Sequence, residues 1–252
     1  MSLVQHVEHG PITELRLSRP PVNALDPGLC RALREAVDSA VSHGAGALVI
    51  TGGEKVFSAG LDVPYLVGLG DDRQALSEAW LAFVGAARAL ADCPVPVAAA
   101  IGGHCPAGGC VLALCCDFRI MAEGEFRIGL NETQVGLVAP EGVQRLMRRA
   151  IGPRQAERLL VAGEMVDSAG ALQLGLVDEL APHAEVAMRA ITRLSALLAL
   201  PREPMLQTRR IARADVVAAL NPELIGLERF IESWYAPDTQ AALRQLVARL
   251  GK

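Results

Sequence analysis

The spacing of apolar residues changes along the chain from strand-like alternation to helical periodicity. Alternation over 3–9 and 12–18, with the turn residues His9-Gly10-Pro11 between them, predicts an initial β-hairpin. Helical spacing follows Asp26-Pro27 and ends near residue 43, where the sequence has His-Gly. The short apolar run 47–50 predicts a buried strand.

Strands and helices continue to alternate through the middle of the chain, and helical spacing dominates after residue 140. The first part is predicted to contain a helix at about 73–92, a strand at 95–101, a helix that begins near Ala107 and a strand at 118–122. The later part is predicted to contain helices at 140–150, 153–161, 184–199, 203–218, 222–234 and 237–249, with a short strand at 176–180. This order favours parallel strands buried between layers in stacked ββα-like units.

Composition narrows the classes of protein. The chain has 252 residues, 51% hydrophobic and 21% charged, enough for a large core as one long domain or a domain plus a subdomain. Its apolar runs are too short to cross a bilayer, and no secretory or transit pattern is present at the start, so a cytoplasmic protein is expected. The net charge of −4, with few aromatic residues and no polybasic block, makes nucleic acid an unexpected partner.

The six cysteines do not have the spacing of a zinc or redox site. Because no C-x-x-C occurs, reduced cysteines in the core are the expected interpretation. The histidines show no i, i+4 pair and the chain has no G-x-S-x-G, so zinc proteases and α/β-hydrolases have no support. No metal site is predicted.

Glu132 lies in an apolar and glycine-rich run, Ile128-Gly129-Leu130-Asn131-Glu132-Thr133-Gln134-Val135-Gly136. An acid among apolar neighbours has a raised pKa and can exchange a proton near neutral pH, as a catalytic base does. The structural alternative is that Glu132 opens a short helix, where an acid is favoured by the free N–H groups. Glu141 follows Pro140 at another apparent helix start, and capping is its favoured role.

Two stretches with glycine follow predicted strands. The first is Val56-Phe57-Ser58-Ala59-Gly60-Leu61-Asp62, and the second is Gly102-Gly103-His104-Cys105-Pro106-Ala107-Gly108-Gly109-Cys110. Glycines there let backbone N–H groups point outward towards an anion or a polarised carbonyl, and the helix after the second stretch adds free donors. An ordinary loop stays open as the alternative for each. Neither stretch has the pattern of a nucleotide phosphate loop.

Five motifs in order along the chain resemble those of the enoyl-CoA hydratase/isomerase, or crotonase, superfamily. They are R-P-P-V-N-A-L at 19–25, F-S-A-G-L-D at 57–62, C-P-A-G-G-C at 105–110, C-D-F-R-I at 116–120 and G-L-N-E-T-Q-V-G at 129–136. The third and fifth are most similar to the mitochondrial-type Δ3,Δ2-enoyl-CoA isomerases, the dodecenoyl-CoA isomerases. The resemblance implies an α/β fold of the crotonase (ClpP-like) type, a spiral of ββα units with a C-terminal helical region.

The resemblance also implies roles for individual residues. Glu132 becomes the catalytic acid/base, and the backbone N–H groups of Leu61 and Gly108 bind the thioester oxygen of an acyl-CoA substrate. Substrate contacts are implied for Ser58, Ala59, Gly60, Leu61, Asp62, Gly108 and Asn131, and CoA contacts for Val22, Asn23, Ala24 and Leu25. Candidate phosphate contacts are Arg19, Arg209, Arg210 and Arg213, although solvated arginines on helix faces are the favoured alternative.

Val111 is the informative departure from the hydratases of this superfamily, which carry a second glutamate at that position. A proton shift between two carbons needs one base, whereas hydration is hard to support with an apolar side chain there. The expected reaction is therefore isomerisation of cis- or trans-3-enoyl-CoA to trans-2-enoyl-CoA in fatty-acid β-oxidation, without a metal or a redox cofactor. Hydration of 2-enoyl-CoA, thioester hydrolysis and a non-catalytic acyl-CoA-binding subunit stay open as alternatives.

Two regions are expected in the chain. Residues 1–190 would form the crotonase-like core with the acyl-CoA site, and 191–252 a helical region that caps the core or supports a homotrimer or hexamer. Apolar residues of 222–235 repeat at helical spacing, which fits either an interface between subunits or packing within one chain.

Overall fold

A computed structural model describes residues 2–250, except for the side chain of residue 250. Its nine strands are β1 Val4–His9, β2 Ile12–Leu17, β3 Ala47–Thr51, β4 Val97–Ile101, β5 Cys105–Pro106, β6 Phe118–Ala122, β7 Arg127–Gly129, β8 Val166–Asp167 and β9 Glu179–Ala181, in the described part of the chain. The larger sheet has the order β1-β2-β3-β4-β6-β9, and the smaller one β5-β7-β8. Only β1 runs antiparallel to its neighbour in the larger sheet.

Helices connect and cover these strands. Those described are α1 Pro27–Ser42, α2 Val63–Gly68, α3 Arg73–Ala91, α4 Gly108–Leu114, α5 Glu141–Ile151, α6 Pro153–Ala162, α7 Ser168–Leu174, α8 Val186–Leu198, α9 Arg202–Ala212, α10 Ala214–Ala219, α11 Pro222–Ile225, α12 Leu227–Trp234 and α13 Pro237–Leu250. Short 3₁₀ turns lie at Glu132–Val135 and His183–Glu185.

Both faces of the larger sheet are covered, which explains the nearly continuous apolar character of its central strands. Alternate residues such as Leu48 and Ile50 of β3 pack into the main core with α1, α3 and α4. Val49 points to the opposite face, where Leu194 of α8 covers the sheet. All six cysteines are buried and unpaired, as expected from their apolar surroundings.

The predicted elements are largely confirmed. The hairpin, α1, β3, α3, β6 and α13 lie within a few residues of their expected bounds. The predicted helix 203–218 is wrong as a single helix, since it divides at Arg213, and 222–234 divides at Gly226, whose φ of +57° suits glycine. Within residues 2–250, the structure has no helix long and apolar enough to span a membrane.

Candidate active site

The parallel pairing of β3 with β4 brings the two glycine-containing loops together. Both strands end at the same edge of the sheet, so the loop 52–62 and the loop 102–107 start side by side. A bridge between Val56 and His104 fixes the loops, and the Phe57 N–H donates to the His104 carbonyl at 2.9 Å. The parallel pairing of these two strands therefore places the two glycine-containing loops next to each other.

Glycine is required where the two loops touch. A Cβ placed on Gly60 would lie 2.9 Å from the Gly108 nitrogen, and Gly60 has a φ of +81°. A Cβ on Gly108 would meet Leu25 Cδ1 at 3.1 Å and Phe83 Cε2 at 3.2 Å. A side chain on Gly60 would therefore collide with the backbone of Gly108 and strain its own φ, whereas one on Gly108 would require Leu25 and Phe83 to shift by a few tenths of an ångström.

Two backbone donors are left free at this junction. Across residues 2–250, neither the Leu61 N–H nor the Gly108 N–H donates a hydrogen bond to a protein group. Gly108 is the first residue of α4, where N–H groups lack partners within the helix and the dipole favours negative charge. Ala107 before it has a φ of +46°, a strained conformation for a residue with a side chain. The junction can hold a negatively charged oxygen.

The segment 19–25 lies against the first loop. The Ala59 N–H donates to the Val22 carbonyl at 2.9 Å, and the Leu25 N–H donates to the Gly60 carbonyl at 2.8 Å. The Asn23 side chain adds a hydrogen bond to the Phe57 carbonyl at 3.1 Å. These bonds make the segment one wall of the site.

The smaller sheet places Glu132 at the same junction. β7 pairs with β5, and the Ala107 N–H donates to the Gly129 carbonyl at 2.8 Å. Three residues after β7, Glu132 begins the 3₁₀ turn Glu132–Val135, so the short helix that was the structural alternative does exist. Glu132 therefore lies both at the start of a short helix and at the junction of the two loops, so the two interpretations do not exclude each other.

The Glu132 side chain is half-buried in the mainly apolar wall of the site, and its carboxyl oxygen Oε2 is inaccessible to water. Its Oε2 has no hydrogen-bond partner in the described part of the protein. Burial raises the pKa of Glu132 to about 7, and a hydrogen bond from its own backbone N–H opposes the rise only partly. Burial first, and then the charge of Glu132, raises the pKa of the neighbouring Cys110 thiol. Glu132 can thus accept and return a proton near neutral pH.

A cavity of about 680 Å³ opens between these elements. Its carboxylates, within the described residues, are those of Glu132 and Asp62. The Asp62 carboxylate already has partners within the protein, since it accepts hydrogen bonds from Arg19 Nη2 at 2.7 Å and from the Tyr65 N–H at 3.0 Å. Glu132 is therefore the carboxylate left available for proton transfer.

The structure brings together most of the residues singled out in the sequence. Those on the cavity wall are Val22, Ala24, Ala59, Leu61, Asp62, Gly108, Asn131 and Glu132. Ser58, Gly60, Asn23 and Leu25 lie outside the cavity wall, and their role as direct contacts stays a prediction. Ser58 is fully buried and donates to the Asn23 carbonyl at 2.8 Å, which helps to shape the loop.

Val111 also lines the cavity. It lies on α4, one turn after Gly108, and only 2% of its surface is exposed. The position that holds a second glutamate in the resembling hydratases is therefore apolar and within the site. Among residues 2–250, no group of three or more His, Cys, Asp or Glu side chains is arranged to hold a metal ion.

Several wall residues were not expected from the sequence. Trp80 and Phe83 come from α3, where their spacing of three residues predicts one buried helix face but not which neighbour that face meets. Phe230 of α12 stacks on Trp80 with ring centroids 3.9 Å apart, and Leu246 of α13 completes this wall. The late helices therefore contribute to the cavity wall, and the expected division of the chain at residue 190 stays a prediction.

Three of the candidate phosphate contacts are occupied by other partners. Arg19 binds Asp62 and also Asp26, at 3.1 Å. Arg209 donates to both oxygens of Asp117 at 2.8 Å, and Arg213 lies 3.3 Å from the same carboxylate. Arg209 and Arg213 are thus structural, whereas Arg210 is exposed.

Glu141, the competing acid, lies outside the cavity wall. It is exposed at the start of α5 and accepts a hydrogen bond from Arg145 Nη2 at 2.6 Å. That hydrogen bond and the charge of Arg145 lower the pKa of Glu141. Its favoured interpretation as a residue of the helix start is therefore supported.

The comparisons with known proteins agree with the geometry. The family described as enoyl-CoA hydratase/isomerase matches residues 8–234, so this chain belongs to that family and has the crotonase fold. It is 30% identical to the human "Enoyl-CoA delta isomerase 1, mitochondrial" over 248 residues, 95% of this chain and 80% of the relative. It is also 35% identical to a "Putative enoyl-CoA hydratase" of Thermus thermophilus, with 70% of each chain covered.

A solved structure supports the same assignment. The crystal structure of human mitochondrial delta3-delta2-enoyl-CoA isomerase is similar to this chain with a TM-score of 0.92 and 29% identity, covering 99% of this chain and 98% of that one. Relatives named isomerase and relatives named hydratase both occur at this level of identity. The family is therefore established, and the choice of reaction depends on the site.

Proposed function

We propose that this protein isomerises 3-enoyl-CoA to trans-2-enoyl-CoA, as part of fatty-acid β-oxidation. The observation that carries the proposal is the pairing of one available, buried carboxylate, Glu132, with two free backbone N–H groups in a mainly apolar cavity. This set of groups fits the movement of one proton between two carbons of a thioester.

The chemistry needs no other reactant. The Glu132 carboxylate takes a proton from C2 of the 3-enoyl thioester, and the resulting dienolate carries its charge on the thioester oxygen. The N–H groups of Leu61 and Gly108 bind that oxygen, and each such preorganised donor contributes about 2.7–4 kcal/mol in other enzymes. Glu132 then returns the proton to C4, which leaves the double bond between C2 and C3. No electron leaves the substrate, so neither a redox cofactor nor a metal is required.

Val111 supports isomerisation over hydration. Addition of water requires activation of the water and delivery of a proton, two tasks that one buried carboxylate supports poorly. Hydration is the second candidate, because relatives named hydratase match this chain at 35% identity.

The remaining parts of the proposal concern the wider protein. Val22 and Ala24, on the wall formed by 19–25, would contact the CoA moiety. A cytoplasmic location and a homotrimer or hexamer stay predictions. Size-exclusion chromatography with light scattering measures the assembly directly.

Purified wild-type protein and Glu132→Gln should be compared on 3-enoyl-CoA, by the ultraviolet absorbance of the conjugated product. Turnover should fall by on the order of 10²–10⁴ in the variant, while calorimetry shows retained binding of a saturated acyl-CoA. With substrate deuterated at C2, wild-type product should carry deuterium at C4. Full isomerase activity in Glu132→Gln contradicts the proposal.

The same preparations separate the alternatives. Faster hydration of 2-enoyl-CoA than isomerisation of 3-enoyl-CoA makes the protein a hydratase. Release of free CoA indicates thioester hydrolysis. Binding of acyl-CoA without turnover of any of these substrates indicates a non-catalytic subunit.

A further inference from the structure

The peptide group between Gly136 and Leu137 is held at both of its ends. Its N–H donates to the Glu132 carbonyl at 2.9 Å, which closes the turn that carries the catalytic side chain. Its carbonyl accepts a 2.6 Å hydrogen bond from the hydroxyl of Thr239. Because a peptide group is planar and rigid, a displacement at its oxygen also displaces its N–H.

Thr239 reaches this peptide group from the first turn of α13. Only 5% of its surface is exposed, so its hydroxyl has little access to water. The backbone of Gly136 lies directly on α13, because a Cβ placed there would be 2.9 Å from the Cβ of Ala242. Gly136 also has a φ of +78°, which ends the turn. Loss of the hydroxyl would leave the carbonyl of the half-buried Gly136 without this partner.

The other side of the turn is held more loosely. The hydroxyl of Thr133 donates to the Leu160 carbonyl and the amide of Gln134 to the Ala162 carbonyl, both at 3.3 Å. These contacts come from the end of α6. The short hydrogen bond from α13 is therefore the stronger constraint on the position of the turn.

We propose that Thr239 is a positioning residue for Glu132, acting through the Gly136–Leu137 peptide group. The inference rests on the proposed role of Glu132 as the acid/base. With Thr239 in place, the turn keeps the carboxyl away from water and directed at the substrate carbons. Without the hydroxyl, the turn shifts, water reaches Glu132 and proton transfer slows.

Burial is the largest influence on the pKa of Glu132, and no charged group on the packed elements contributes to it. The titratable groups on the helices packed against the turn are Arg154, Glu157 and Arg158 of α6 and Asp238, Arg244 and Arg249 of α13, and Cys110 of α4 lies close enough to interact with Glu132. A change in the titration of Glu132 in a Thr239 variant would therefore report hydration of its carboxyl.

Thr239→Val removes the hydroxyl and keeps the shape, whereas Thr239→Ser keeps the hydroxyl. We expect kcat of Thr239→Val to fall by about tenfold to a hundredfold, since small displacements of catalytic groups have effects of this size. KM should stay within about twofold and Thr239→Ser should recover most of kcat, since substrate contacts and the hydroxyl are kept. Ser168→Ala is the matched control, because Ser168 is also buried and donates to a glycine carbonyl, that of Gly124, at 2.8 Å.

A second measurement does not depend on turnover. The carboxyl resonance of Glu132, assigned with Glu132→Gln in protein labelled with ¹³C at glutamate side chains, gives the titration midpoint. The midpoint should move to lower pH in Thr239→Val and stay at the wild-type value in Thr239→Ser and Ser168→Ala. Circular dichroism selects a temperature at which each variant is folded, and Thr239→Ala replaces Thr239→Val if the latter does not fold.

The outcomes separate the two proposals. Wild-type protein without isomerase turnover contradicts the proposed function, and the titration still decides the role of Thr239. An unchanged kcat and midpoint in the variant without the hydroxyl overturn the positioning role. An equal loss in Ser168→Ala or in Thr239→Ser also overturns it, because the effect would then not depend on this hydrogen bond.

Discussion

Gly60 and Gly108 lie in contact through their backbones, and this contact sets the distance between the two loops of the site. A Cβ on Gly60 would lie 2.9 Å from the Gly108 nitrogen and 3.0 Å from the Cβ of Ala107. Leu61 follows Gly60 directly. The contact therefore fixes the position of the free N–H of Leu61 relative to the free N–H of Gly108.

Gly60→Ala should separate the loops and disrupt the pair of N–H donors. Since one such donor is worth a factor of about 10²–10³ in kcat, we expect a loss of at least about 10²-fold in steady-state turnover of 3-enoyl-CoA. Gly85→Ala is the control, because a Cβ there meets nothing within 4 Å in the middle of α3. The control should keep activity and gain about 0.5–1 kcal/mol in the free energy of unfolding. Equal activity of the two variants would show that the loop contact is irrelevant to the reaction.

The pH dependence follows from the raised pKa of Glu132. Since the base must be ionised, kcat/KM should rise with pH and level off above a midpoint of about 7. A profile governed by a group with a midpoint near 4.5 would contradict the burial of this carboxyl. Stopped-flow assays over the range in which the protein stays folded would measure the profile.

Glu132 should also lower the stability of the protein at alkaline pH. Because the folded protein binds this proton more tightly than the unfolded chain does, the free energy of unfolding falls as pH rises from about 4.5 through about 7. Glu132→Gln should thus be more stable than wild type at pH 8 by about 2–3 kcal/mol, with the difference vanishing at low pH. Urea denaturation at a series of pH values would measure it. The exposed Glu141, whose pKa is lowered, should show the opposite sign when changed to Gln.

Val111→Glu should introduce a second carboxylate into the cavity. We expect weak hydration of 2-enoyl-CoA to appear, with reduced isomerase activity and reduced stability, because an added buried acid is costly unless it is partnered. Val111→Gln has a similar size but cannot transfer a proton in the same way, so it should show no hydration. Coupled detection of 3-hydroxyacyl-CoA would compare the two variants. Hydration by both variants, or hydration by the wild type at the rate of Val111→Glu, would show that Val111 does not decide between isomerisation and hydration.

Asp117 and the two arginines that share its carboxylate, Arg209 and Arg213, form a cluster that should matter for stability rather than for CoA binding. Asp117→Ala leaves Arg209 and Arg213 without their shared carboxylate, which should cost about 3–5 kcal/mol in thermal or urea unfolding. The KM for 3-enoyl-CoA should stay within about twofold, because the cluster lies outside the cavity wall. Arg210→Ala, next to Arg209 but exposed, should change stability by less than about 0.5 kcal/mol. A large rise in KM in Asp117→Ala without a loss of stability would contradict this prediction and would indicate that Arg209 contacts a CoA phosphate.

The sequence could predict the parts of this site that depend on local patterns. Asp26 and Pro27 mark the start of α1, and glycines after β3 and β4 mark the two loops. Parallel strands then require those loops to be neighbours. The family resemblance added the role of Glu132, which its own neighbours left open.

The parts that escaped prediction depend on contacts between distant segments. Strands of two or three residues, such as β5 and β8, are too short to show alternation. The helix break at Arg213 has neither glycine nor proline to mark it, and the buried contacts of its side chain were not readable from spacing. Apolar spacing in α12 predicted a buried face, but not that Phe230 would stack on Trp80.

The hydrogen bond between Thr239 and Gly136 joins residues 103 positions apart. A ribosome adding roughly 5–20 residues per second would take about 5–20 s to extend the chain from one to the other. During that interval the nascent chain already carries Glu132 and both glycine loops, yet the turn has no partner from α13. Catalytic competence should therefore arise late in synthesis, well after Glu132 and both glycine loops have been made.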